Sequence, residues 1–78
     1  MTKLIHTDNY YYDVIRINIR KFRKEKGYTQ AKLASKADLS VDYISEIESL
    51  RKKKSFSIAT LGRIADVLDV KIENFFEE

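Results

Sequence analysis

No proline interrupts this chain, and its two glycines, Gly27 and Gly62, stand far apart. A backbone with so few breakers favours helices joined by short turns. Its 78 residues make one small domain with a modest core. There is no cysteine, which excludes disulfides and thiolate metal sites and is compatible with a reducing compartment. No apolar run approaches the roughly 20 residues that span a bilayer. The start, MTKLIHTDNYYYD, lacks the apolar core of a signal peptide. A soluble, cytoplasmic protein is expected.

The apolar spacing predicts the helices. Asp13 is suited to cap a first helix. Ile15, Ile19 and Phe22 then follow at i, i+4 and i+7. Gly27 suits the position just past its end, where φ is positive. Thr29 caps a second helix with Leu33, Ala34 and Ala37 inward, and Asp38-Leu39 forms a short turn. Ser40 caps a third helix, with Ile44 and Ile47 inward and Asp42 in the first turn, where the helix dipole favours a carboxylate. A basic loop follows. Ser57 caps a fourth helix carrying Leu61, Ile64, Ala65 and Leu68, and residues 71–76 form a short fifth. The expected fold is all-α, a compact bundle of five helices over 13–78 behind an N-terminal extension, 1–12. Tyr10, Tyr11 and Tyr12 in that extension are too bulky to stay comfortably exposed together.

Charge is segregated along the chain. The net charge is +3, but residues 14–37 carry +7, residues 38–50 carry −4, and Arg51, Lys52, Lys53 and Lys54 restore +4. Two basic blocks point to a polyanionic partner. His6 is the only histidine, so no metal site and no catalytic nucleophile set is recognisable. No cofactor, small-molecule ligand or membrane partner is expected, and no enzymatic activity.

The second and third helices are short and separated by a turn of three or four residues, the spacing of a helix-turn-helix. The string GYTQAKLASKADLSVDYISEIES resembles the lambda-repressor-like, Cro-type (XRE) family of DNA-binding domains. Gly27, Thr29-Gln30, Leu33-Ala34, Leu39-Ser40, Ile44-Ser45 and Ile47-Glu48 carry the resemblance, and TLGRIADVLDVKIENFF is similar to the family's last two helices. Small stand-alone regulators, such as the controller proteins of restriction–modification systems, are of this kind. The resemblance implies a sequence-specific transcriptional regulator, a repressor, binding a palindromic operator as a homodimer. Its recognition helix, 40–49, would enter the major groove of double-stranded DNA.

On the same basis Val41, Asp42, Tyr43, Ser45 and Glu46 are expected to meet bases. Thr29, Gln30 and Ser40 are expected at phosphates, where helix N-termini favour anions. Arg23 and Glu48 would form a structural ion pair. Val70, Ile72, Phe75 and Phe76 are expected at a dimer seam, although adjacent phenylalanines cannot both face one interior. Two departures from the family stand out. Asp38 fills a turn position that is often glycine; aspartate tolerates the left-handed conformation better than most residues. Asp42 and Glu46 stand where the family commonly has Arg, Lys or Gln. A carboxylate repels phosphate, although it can accept from the cytosine amine, and Val41 can touch a thymine methyl. Attraction is therefore assigned to Arg51, Lys52, Lys53 and Lys54. Four such contacts would give a slope of about −3 to −4 in log K against log [salt]. The acidic third helix also supports a different class of function: a protein-interaction module, anti-repressor or antitoxin-like, that has kept the fold and lost DNA reading.

Overall fold

A computed structural model describes residues 5–7 and 9–78 of the chain. Of the extension expected over 1–12, residues 1–4 and 8 lie outside the described residues. Four α-helices follow in order, α1 (Tyr10–Glu25), α2 (Gln30–Ala37), α3 (Val41–Glu48) and α4 (Ile58–Leu68), and then a 3-10 helix (Ile72–Phe76). The all-α architecture matches the sequence reading, with one change in the element count: the expected fifth helix is a 3-10 helix. Its geometry follows from its anchors. The Asn18 side-chain amide of α1 donates to Phe75 O at 2.7 Å and to Glu77 O at 2.8 Å. With both carbonyls held by another element, five residues tighten to i→i+3 bonding, as between Asn74 N and Lys71 O.

The capping expectations for three helices match the geometry. The hydroxyls of Thr29, Ser40 and Ser57 each accept an N–H three residues on, from Lys32, Tyr43 and Thr60, all at 3.0 Å. The cap expected at Asp13 is displaced. α1 begins at Tyr10 with Asn9 as its cap. Aromatic packing carries the helix back: Tyr10 stacks on His6 at 3.6 Å and Tyr12 meets Phe56 edge-on at 5.1 Å. Asp13 thereby lies inside the first turn, its carboxylate free for other partners.

Gly27 has φ 79°, as its position past α1 requires. Asp38 ends α2 in the left-handed region with φ 57° and ψ 48°, and Leu39 N–H closes the turn on Ala34 O at 2.9 Å. Arg63 of α4 secures this turn by donating to Ala37 O at 2.7 Å and Asp38 O at 2.8 Å. Asp69 ends α4 in the same way, with φ 57°. Asp38→Val is expected to destabilise the domain by about 1–2 kcal/mol, because a β-branched side chain crowds the backbone there. Thermal unfolding checks this, and an unchanged midpoint would mean that the turn is free to change conformation.

The core gathers Ile15 and Ile19 of α1, Leu33 and Ala34 of α2, Ile44 and Ile47 of α3, and Leu61, Ile64, Ala65 and Leu68 of α4. Phe75 closes it from below, 0% exposed, with its ring 5.7 Å from that of Phe22. Phe75 therefore cannot lie at a dimer seam, and Val70 and Ile72 are half-buried against the same core. Phe76 alone of the four expected seam residues is exposed, at 45%. No described helix is long and apolar enough to cross a membrane.

Candidate nucleic-acid interface

α3 turns Ile44, Ile47 and Glu48 inward. Val41, Asp42 and Ser45 therefore face solvent, with Val41 46% exposed, while Tyr43 and Glu46 are half-buried at the flank.

The face is held by one ionic network. The Arg23 guanidinium of α1 grips Glu48 with two parallel bonds, Nε to Oε2 at 2.6 Å and Nη2 to Oε1 at 2.9 Å. Its Nη1 donates to Tyr28 O at 2.8 Å. The Gln30 side chain, at the start of α2, donates its amide to Glu48 Oε1 at 3.1 Å. An ionised carboxylate only accepts, so this contact also orients the amide. One amide hydrogen of Gln30 is engaged and the other remains available. Glu48 thus ties α1, α2 and α3 together at the point where the N-terminus of α2 meets the outward face of α3. The hydroxyls of Thr29 and Ser40, which cap through their oxygens, each keep an O–H to donate.

The basic loop divides. The backbone N–H groups of Arg51 and Lys52 both donate to Ser49 Oγ, at 3.3 and 3.2 Å, and neither side chain has an ion-pair partner among the described residues. Lys53 instead reaches Asp13 Oδ2 of α1 at 2.7 Å, and Lys54 lies 3.9 Å from Glu46 Oε1 and 5.9 Å from the Tyr43 ring centre. The Lys53 ammonium holds the Asp13 carboxyl below the usual carboxylate range. Partial burial opposes this, and Arg16 adds to it.

Arg16 is the residue the sequence reading missed. It is 0% exposed. Its Nε donates to Asp13 Oδ1 at 3.1 Å, and its Nη1 donates to Ile47 O at 3.0 Å and to Lys54 O. Its guanidinium carbon lies 5.7 Å from the Tyr12 ring centre and 5.6 Å from that of Phe56. Arg20 lies one turn further along α1. With Ile17, Gln30, Ser45, Leu50 and Arg51 it lines a groove of about 410 Å³ beside the start of α2. The signal was present, since Arg16, Arg20 and Arg23 stand at i, i+4 and i+7 beside the apolar stripe. That spacing shows a shared face but not which members of it are covered.

Two short helices at a fixed turn, the second of them capped and facing outward, and a carboxylate pinning both to α1 define a helix-turn-helix. The helix-turn-helix family model matches residues 19–75, and the chain belongs to that family. It is 38% identical over 60 residues to the HTH-type transcriptional regulator SinR of Bacillus subtilis, covering 77% of this chain and 53% of that protein. The chain thus spans about half the length of that relative. Among solved structures it is similar to SinR, a master regulator for biofilm formation, in complex with DNA. That likeness has 38% identity, coverage of 81% of this chain and 98% of that one, and a TM-score of 0.72. It is likewise similar to the restriction–modification controller protein C.Esp1396I, with 37% identity, 86% of each chain covered and a TM-score of 0.76.

Proposed function

We propose that this chain is a DNA-binding transcriptional regulator of the cytoplasm that presents α3 to the major groove of an operator. The observation that carries the reading is the Glu48 junction. It sets the Gln30 amide and the N-terminus of α2 beside Ser45 on the outward face of α3. A phosphate at the start of α2 and a base edge at α3 are then addressed by one rigid unit. Val41, Asp42 and Ser45 are the base-facing residues, with Tyr43 and Glu46 at the flank. Thr29, Gln30, Ser40, Arg51 and Lys52 supply phosphate contacts. The relatives named as regulators, and the SinR complex with DNA, support the same assignment.

The protein-interaction reading has less support. Its main argument was the acidic face of α3, and Glu46 there lies 3.9 Å from Lys54. A homodimer fits the operator symmetry that this motif uses, with two recognition helices about 34 Å apart. The seam is better placed around Phe76, Tyr11 and Ile58, exposed apolar residues that border a cleft of about 240 Å³ with no contribution from α2 or α3. Pairing there leaves the DNA face of each copy open.

A mobility shift with the DNA upstream of the protein's own coding sequence tests the function. Retardation is expected at low salt, declining as salt rises. Folded protein that retards no DNA at low salt would sink the proposal.

A further inference from the structure

The four cations of the loop after α3 do not share one environment. Lys53 adopts φ 54°, a left-handed conformation uncommon for lysine. The residue after it is anchored through its carbonyl to the buried Arg16 guanidinium, which also holds Ile47 O at the end of α3. Phe56, two residues further on, packs against Tyr12 at 5.1 Å. The backbone on the far side of Lys53 is thus fixed to α1, and the Lys53 ammonium meets Asp13 there at 2.7 Å. The near side is built otherwise. Ser49 Oγ draws in the N–H groups of Arg51 and Lys52, and these three residues border a small hollow at the end of α3. Arg51 also lines the groove shared with Gln30 and Ser45.

We infer that Arg16 and Asp13 withdraw Lys53 from the nucleic-acid face, so that the phosphate clamp of this loop is Arg51 and Lys52. Asp13 acts as an internal substitute for a DNA phosphate. A half-exposed ion pair holds weakly by itself, but here the positive-φ backbone and the buried Arg16 anchor direct the side chain to its acceptor. The consequence is a damped affinity for DNA in general. Counterion release by Lys53 is lost for all sequences alike, and discrimination is left to α3. Arg16 and Asp13 are positioning residues in this scheme.

The inference rests on the DNA-binding reading, and binding to a short duplex of unrelated sequence, measured over a range of salt, separates the two. Asp13→Asn is expected to tighten binding about three- to tenfold at low salt and to steepen the salt slope by about one. Adding Lys53→Met to Asp13→Asn should remove that gain, so that the lysine matters about three- to tenfold in the Asp13→Asn background and less than about twofold in the wild type, whereas a general charge effect would cost the same in both. Single variants of the loop give a second measure that does not require Asp13 to change. Lys52→Met is expected to weaken binding about three- to tenfold and to flatten the slope by about one, and Lys53→Met to weaken it by less than about twofold. Wild-type protein that binds, with Asp13→Asn no tighter or with Lys53→Met as damaging as Lys52→Met, overturns this inference alone. Folded wild-type protein that binds no duplex at any salt overturns the DNA reading and this inference with it.

Discussion

Glu48→Ala is expected to lower the free energy of unfolding by about 3–5 kcal/mol. The cost comes from what is left behind. Arg23 and Glu48 are nearly covered, with 9% and 3% of their side chains exposed. Without the carboxylate, the Arg23 guanidinium keeps only Tyr28 O as a partner, and a buried charge lacking its counter-charge is strongly unfavourable. A domain of this size has a total stability of about 4–12 kcal/mol, so a large share of the variant would be unfolded. Replacing both partners with apolar residues of similar size, as in Arg23→Met with Glu48→Leu, is expected to restore most of the loss, since no charge then remains to be satisfied. Denaturant unfolding followed by circular dichroism checks both. A loss under about 1 kcal/mol in the single variant would place the pair among ordinary solvated ones. The double variant carries a functional expectation as well. It should fold yet bind DNA more weakly, because Gln30 would lose the acceptor that orients it.

Arg16→Ala is expected to cost about 2–4 kcal/mol and to free the loop after α3. Removing this side chain leaves the Ile47 and Lys54 carbonyls without their donor and opens a cavity between Tyr12 and Phe56. Arg16→Lys should recover only part of the loss, because one ammonium cannot reproduce the fork that reaches Asp13 and two carbonyls together. The guanidinium is not perfectly served even in the native fold. Its Nη2 is buried with no hydrogen-bond partner, and the flanking aromatic rings supply part of what is missing. The distinguishing measurement is proteolysis under native conditions with an enzyme that cuts after lysine and arginine. Cleavage within 51–54 should accelerate far more in Arg16→Ala than in a variant destabilised equally elsewhere. Equal rates would show that the loop does not depend on Arg16.

These two arginines mark the limit of what the chain discloses before it folds. Both lie in the same basic stretch, and the charge pattern alone presents them as part of a solvated face. The family resemblance places Arg23 inward opposite Glu48, and the structure brings the two together. Arg16 had no such cue, and its partners are carbonyl oxygens, which every residue carries and no sequence pattern identifies. The sequence sends Lys53 to phosphate for the same reason as Lys52, since both sit in one run of like charge. Only the backbone turn at Lys53 and the position of Asp13 separate them.

By itself the sequence determined where the helices lie apart from the start of the first, how three of them are capped, where the first two turns fall, and to which family the motif belongs. Each of these rests on interactions within about four residues, or on a 3.6-residue period, and both can be read along a chain. The tertiary structure decided the rest. It placed the start of α1 at Tyr10, chose Phe75 over Phe76 for the core, narrowed the last helix to 3-10 geometry, and divided the basic loop. Those outcomes depend on groups that meet only when distant segments pack: Arg16 with the carbonyl 38 residues away, Asn18 with one 57 away, and Asp13 with a lysine 40 away. A local pattern shows which residues are able to make such contacts, and packing selects which of them do.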